Sequence, residues 1–312
     1  MFVYADNAAT TAMSPVAIQT MERALESMYG NPSSLHQKGR EANLAMIDAR
    51  RAMAERLGAE ERELYFTGCG TEADNWAIRS AARLGAEKGK RHLITTAIEH
   101  HAVLHTMAAL EREGYEVTYL PVSPEGLVTA EQVAAAIRED TCLVSVMYAN
   151  NEIGTIMPIP AIGKVCRERG VLFHTDAVQA AAHLPINVVE QDIDMLSLSG
   201  HKFHGPKGTG ALYCRKGIRL APFIEGGAQE RGKRAGTEAL PAILAMSAAF
   251  CEACDHMEEN MARVTALRDK LIEGLRTIPK CRLNGHPTQR LPGNVSFCFE
   301  GIEGESLLLR LD

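Results

Sequence analysis

Between residues 64 and 215, short apolar runs alternate with longer stretches in which apolar residues recur every three or four positions. Side chains alternate across a strand but share one face of a helix at those spacings, so the runs read as strands and the stretches as helices. Strands are expected at Leu64–Thr67, His92–Thr96, Glu116–Leu120, 142–148, 171–175, Met195–Ser199 and Gly210–Cys214. Helices are expected at 71–84, 101–113, 130–138 and 160–169. In the second of these Val103, Leu104, Met107 and Leu110 fall on one face, and Gly114 closes it, as Gly170 closes the fourth. The run CLVSVMY at 142–148 is apolar almost throughout, as a strand covered on both faces must be. The repeated β-α order predicts an α/β fold with a mostly parallel sheet and helices on both faces. Past Pro241 the pattern turns helical, and Met257, Met261, Val264, Leu267, Leu271 and Leu275 make one apolar stripe. A break at 291–293, a strand at 294–299 and a helix starting at 303 and running to 312 predict a second, smaller unit.

Composition narrows the picture. A chain of 312 residues exceeds the ~250–300 at which single cores stop growing, which again favours one large domain and a smaller one. Apolar residues make up 46% and charged residues 23%, the balance of a globular protein. With 33 Lys and Arg against 39 Asp and Glu, the net charge of −6 and the lack of a basic run argue against a nucleic-acid partner. The start, MFVYADNAATTAMSP, has neither the basic nor the apolar region of a signal peptide. The longest near-apolar run, ALPAILAMSAAF at 239–250, is shorter than the ~18 residues of a membrane span, so no membrane association is expected. The eight cysteines are scattered, which predicts reduced thiols and a cytoplasmic protein. Cys251 and Cys254 form a lone CxxC on an expected helix and read as core residues; no metal site is expected.

In parallel sheets ligands sit beyond the carboxyl ends of the strands, so the polar stretches after those ends carry the candidate chemistry. GCGTEADN at 68–75 opens a helix whose free N–H groups could hold an anion, with Thr71 adding a hydroxyl; an ordinary N-cap is the alternative. In FHTDAVQ, Asp176 follows a strand and Gln179 lies within reach of the same side, although a turn-forming Asp would look the same. ANNEIG places Asn150 and Asn151 at another strand end, and Glu99, His100 and His101 follow a third. LSLSGHKFHGPKGTG at 196–210 holds two lysines. Lys207, Gly208 and Thr209 stand in the wrong order for a G-K-[ST] phosphate loop, and a strand follows instead of a helix. Lys202, between His201 and Phe203, sits where desolvation would lower its pKa and make it nucleophilic. A lysine, an aspartate, an Asn/Gln pair, a histidine and an open helix start are together what pyridoxal phosphate needs. The lysine forms a Schiff base, the aspartate faces the ring nitrogen, and the helix start takes the phosphate.

The chain also resembles the cysteine desulfurases of the NifS/IscS type, in the class V aminotransferase group of fold type I pyridoxal-phosphate enzymes. The resemblance runs in order through YADNAATT, YGNPSS, GTEADN, EHHAVL, ANNEIGT, HTDAVQA, SGHKFHGPKG and RAGTE, and so through essentially the whole chain. It implies a pyridoxal 5'-phosphate enzyme that removes sulfur from L-cysteine, leaving alanine and a persulfide for iron–sulfur cluster assembly or other sulfur transfer. By the resemblance, Lys202 and His100 are catalytic. Gly70, Thr71, Ser199 and His201 hold the phosphate, Gly200 also binds the cofactor, and Asp176 pairs with the pyridinium nitrogen. Asn151 and Gln179 lie on the ring-hydroxyl side, Asn31 and Asn151 contact substrate, and Thr237 reaches the cofactor of a partner subunit. A homodimer with a scaffold or sulfur-acceptor partner is implied, with residues 12–255 as the cofactor domain and 1–11 plus 256–312 as the small domain. Gly68 stands where the family often has Ser. The family's sulfur-accepting cysteine and carboxylate-binding arginine are expected past Asp312, and none of the eight cysteines takes that place. An inactive cofactor-binding dimer, or a related class V aminotransferase or selenocysteine lyase, is the alternative.

Overall fold

A computed structural model describes residues 3–311. The last residue of the expected C-terminal helix, Asp312, and the first two of the expected small domain, Met1 and Phe2, lie outside them. The helices are α1 Pro15–Ser27, α2 Gln37–Arg56, α3 Gly70–Ala86, α4 His101–Arg112, α5 Ala130–Ala136, α6 Ile159–Arg169, the single turn α7 Gln229–Gly232, α8 Leu240–Asp255, α9 Met257–Arg276 and α10 Gly304–Leu311. The strands are β1 Leu64–Thr67, β2 His92–Thr96, β3 Glu116–Leu120, β4 Thr141–Ser145, β5 Leu172–Asp176, β6 Met195–Ser199, β7 Gly210–Cys214, β8 Cys281–Leu283 and β9 Phe297–Phe299.

Seven strands form one sheet in the order β1-β7-β6-β5-β4-β2-β3, and β8 pairs with β9 apart from it. The pairs from β6 through β5, β4 and β2 to β3 are parallel, whereas β7 runs antiparallel to both β6 and β1. The strand order reverses between β2 and β4, the crevice where doubly wound sheets bind ligands. Both faces are covered. Leu93, Leu143, Met195 and Leu212 point into a core with Trp76 of α3 and Met107 of α4. Their neighbours Ile94, Val144, Leu196 and Ala211 point into the opposite core, with Met53 of α2, Ile162 of α6 and Phe250 of α8. That alternation explains why the strand sequences lack a polar face.

The α/β class and mostly parallel sheet match the sequence pattern, but several boundaries shift. The strand expected at 142–148 is Thr141–Ser145. Val146 and Tyr148 leave the ladder, yet their N–H groups still donate to His174 O at 3.1 Å and Asp176 O at 2.8 Å. The expected 294–299 strand is only Phe297–Phe299, because Asn294 turns into the loop instead. Helix 130–138 stops at Ala136, where Ile137 takes an extended conformation. β5 runs one residue further than expected, so Asp176 is its last residue. No helix among the described residues is long and apolar enough to cross a membrane.

Candidate functional site

The carboxyl ends of β2, β4, β5 and β6 open into a cavity of about 570 Å³, the size of a small-molecule site. Lys202 enters it from the turn that follows β6, half-buried, with Nζ donating to Ala8 O at 2.6 Å and Ala9 O at 2.9 Å. Burial pulls the Lys202 pKa down, against the opposing charges of Asp176 and Asp6. Asp176 enters from the end of β5, and its Oδ1 accepts the Val178 N–H at 2.9 Å. Burial pushes its pKa up, and the Val178 N–H, His100 and Lys202 push back.

Asp74 of α3 lines the same cavity, fully buried, and its Oδ1 has no hydrogen-bond partner among the described residues. It lies 3.6 Å from His174 Nε2. His174 is itself held between Ser145 Oγ (2.8 Å) and Ser197 Oγ (3.0 Å), and burial drives its pKa down to about 3. Two carboxyls in one dry site do not both ionise. Asp176 has an N–H donor and the Lys202 amine beside it, and Asp74 has a neutral imidazole. Burial, then Asp176, raises Asp74 well above the carboxylate range. The negative charge therefore belongs on Asp176.

His100 caps α4, with Nδ1 accepting the Ala102 N–H at 3.1 Å. That bond fixes the proton on Nε2 and leaves the ring on the cavity wall. The start of α3 is open. Its cap residue, Cys69, is extended and makes no side-chain cap bond, so the ordinary N-cap alternative fails. The first-turn N–H groups of a helix without a cap attract anions. Gly70 is required there, because a Cβ would meet Val178 Cγ2 at 2.6 Å and Ser199 Cβ at 3.3 Å. The N-terminal segment straps the site from outside. Thr11 donates N–H and hydroxyl to His201 O (3.0 and 2.8 Å), Thr10 Oγ1 meets His201 Nδ1 at 3.1 Å, and Gln179 Nε2 donates to Ala8 O at 2.9 Å.

Of the residues expected from sequence, Gly70, Thr71, His100, Asn151, Asp176, Gln179, Ser199, His201 and Lys202 line this cavity. Gly200 does not: it is buried behind the wall, with its N–H on Thr209 O at 2.9 Å. Asn31 and Thr237 are exposed and away from the cavity of their own chain, Asn31 spending its Oδ1 on the Ser33 N–H at 2.9 Å. Asn150 is a loop former: its Oδ1 accepts from Glu152 and Ile153 N–H, and its Nδ2 donates to Ile98 O, each at 2.9 Å. His101 and Lys207 are exposed. Of the eight cysteines Cys69 alone lines the cavity. Cys251 and Cys254 lie half-buried on α8, and no metal-binding cluster exists among the described residues. Sequence reasoning assigned no role to Asp6, Ala8, Ala9, Asp74, Met147 or Glu152, all of which line the cavity. The aspartate of GTEADN, in the first turns of α3, was the available signal for Asp74.

Comparison with known proteins bears on this geometry. Residues 3–312 match the model of the aminotransferase class-V family. A cysteine desulfurase IscS of Methanosarcina thermophila is 54% identical over 99% of this chain and 76% of its own length. A cysteine desulfurase IscS of Clostridium botulinum is 49% identical over 99% and 79%. Among solved structures, a NifS-like protein superposes with a TM-score of 0.95 at 41% identity, over 98% of this chain and 84% of that one. A structure described as SspA in complex with cysteine gives a TM-score of 0.77 at 43% identity, over 80% and 72%.

Proposed function

The chain belongs to the aminotransferase class V family, and from that premise we propose that it is a pyridoxal 5'-phosphate-dependent cysteine desulfurase. It converts L-cysteine and an acceptor thiol into L-alanine and a persulfide: the substrate's C–S bond breaks, a C–H bond forms, and the sulfur leaves on the acceptor. The observation that carries this reading is one cavity holding a desolvated lysine, a buried carboxylate and an uncapped helix start.

The residues present fit the cofactor. The free N–H groups of α3, with Thr71, Ser199 and His201, would hold its phosphate. Asp176 would face the ring nitrogen. Asn151 and Gln179 would take the ring-hydroxyl side, with Asn151 also near the substrate as Asn31 would be, and His100 would lie over the ring. When bound, the cofactor supplies a ring that accepts the electrons released at the substrate's carbons. Lys202 supplies the chain's own amine. Its lowered pKa raises the fraction of neutral amine, which can hold the cofactor and later move a proton at the substrate. His100, with its proton on Nε2, can give one to a leaving sulfur.

The reading includes a homodimer in which Thr237 serves the partner's cofactor. Support comes from an exposed apolar face on and between α1 and α2, where Leu25, Tyr29, Leu35 and Leu44 are 63%, 74%, 90% and 61% exposed. It takes residues 12–255 as the cofactor domain, in line with the seven-stranded sheet lying wholly within them, and 1–11 with 256–312 as the small one. All eight cysteines are free thiols, which suits a cytoplasmic enzyme serving a sulfur-acceptor protein.

The test is product analysis. Protein loaded with pyridoxal phosphate should release alanine from L-cysteine when a thiol acceptor is supplied, and Lys202→Ala should lose at least ~10³-fold of that rate, as removal of a covalent catalyst does. Amino-group transfer to a keto acid without alanine formation from cysteine would overturn the reading.

A further inference from the structure

Arg290 is a buried cation without an anion. It is 3% exposed and forms no ion pair among the described residues. Its guanidinium donates instead to five oxygens: Asn294 O (3.2 Å), His286 O (3.1 Å), Ile153 O (3.1 Å), Asn284 O (3.2 Å) and Asn294 Oδ1 (3.3 Å). Burying a charge this way is costly, and burial does pull its pKa down. The oxygens it gathers belong to two segments far apart in sequence, 284–294 and the Asn150–Gly154 loop at the cavity rim.

Asn294 completes the junction. Its Oδ1 accepts from Arg290, and its Nδ2 donates to Asn151 O and Glu152 O, each at 3.3 Å. Leu291 N–H donates to Gly154 O at 2.8 Å, and Ile156 N–H to Gln289 O at 3.0 Å. The approach is too close for side chains. A Cβ on Gly154 would fall 2.6 Å from Asn294 Oδ1, and one on Gly285 would fall 2.2 Å from Ile153 O. The bonds that cross between the two segments fall on the backbone of the stretch that carries Asn151, a residue lining the cavity.

We propose that Arg290 and Asn294 are positioning residues that set the place of Asn151, so that the C-terminal segment holds one wall of the cofactor site. Asn294 fixes the Asn151 carbonyl and Arg290 fixes Asn294 together with the loop behind it. The proposal rests on the pyridoxal-phosphate reading of the cavity for its spectral and affinity readouts.

A double-mutant cycle tests it, using Asn151→Ala, Asn294→Asp and the double variant, each as apoprotein titrated with pyridoxal phosphate. Asn294→Asp keeps the shape but removes both donors and faces two carbonyls with an oxygen. It should weaken cofactor binding roughly tenfold and move the visible absorption band in the same direction as Asn151→Ala. The double variant should bind no more weakly than Asn151→Ala alone, since both act through one contact. Wild-type affinity and spectrum in Asn294→Asp, or losses that simply multiply in the double variant, would overturn the proposal. Should Asn294→Asp fail to fold, Arg290→Lys takes its place with the same criteria: it keeps the charge but cannot span five acceptors. If the wild type takes up no pyridoxal phosphate, the cofactor reading fails and the clamp is read by hydrogen exchange at residues 150–156. Faster exchange there in Asn294→Asp supports the clamp, and unchanged exchange overturns it.

Discussion

Glu99 follows β2 with its carboxyl shut away from water. Oε1 accepts from the Thr96 hydroxyl at 2.7 Å and the Met147 N–H at 3.0 Å, while Oε2 has no partner among the described residues. Burial, only partly offset by those two donors, pushes its pKa from 4.5 up to about 8. The folded state thus holds this proton more tightly than the unfolded chain does. The stability it contributes is full below 4.5 and is lost as pH rises through about 8. Glu99→Gln keeps an acceptor oxygen for both donors and cannot ionise. Its melting temperature should fall less than that of the wild type across this window, so the gap in favour of the variant grows with pH. Parallel curves for the two proteins would show that Glu99 carries no such charge penalty. At this scale the sequence was informative about residue type but silent about state. Lys202 and Asp176 stand out from their strand-end positions. That Asp74 and Glu99 are neutral is not legible there, because their protonation follows from burial that the fold as a whole creates.

The loop around α7 is held by an ion pair rather than by its own backbone preference. Glu230 and Arg231 have φ of 43° and 59°, left-handed values that cost non-glycine residues about 1 kcal/mol or more each. Arg50 of α2 grips Glu230 with two bonds of 2.7 Å, donates to Leu64 O at 2.9 Å, and lies 4.4 Å over the Phe66 ring. Glu230 Oε2 also accepts the Phe66 N–H at 3.1 Å, tying the loop to β1. Both side chains are buried, so Arg50→Ala would leave a carboxylate stranded and should cost about 3–5 kcal/mol in urea unfolding. A loss below about 1 kcal/mol, the range of exposed pairs, would contradict this. Elements themselves were legible where the pattern was clean. α3, α4 and α6 fall within two residues of expectation, and β2, β3, β6 and β7 match it. Two of the misses fall where a strand's carboxyl end or a polar residue leaves the regular pattern to build the site. Val146–Tyr148 peels off β4 toward the cavity, and Asn294 abandons β9 to hold the Asn151 loop.

For the molecule as a whole, contacts distant in sequence decide whether the site exists. Ala8 and Ala9 meet Lys202 across more than 190 residues, and Arg290 reaches Ile153 across 137. No local pattern encodes such pairings, since each uses a backbone carbonyl that any residue would supply. The ordered motifs did place the lysine, the aspartate and the helix start on one sheet edge, because a parallel sheet gathers its strand ends by construction. They also brought in Gly200, which the fold turns away from the cavity. Of the two lysines in SGHKFHGPKG, Lys202 is the one proposed to carry the cofactor. Borohydride reduction of the protein loaded with pyridoxal phosphate, followed by peptide mass spectrometry, reads this directly. A single reduced adduct on Lys202 and an unmodified Lys207 are expected. An adduct on Lys207, or modification spread over surface lysines with Lys202 spared, would contradict it.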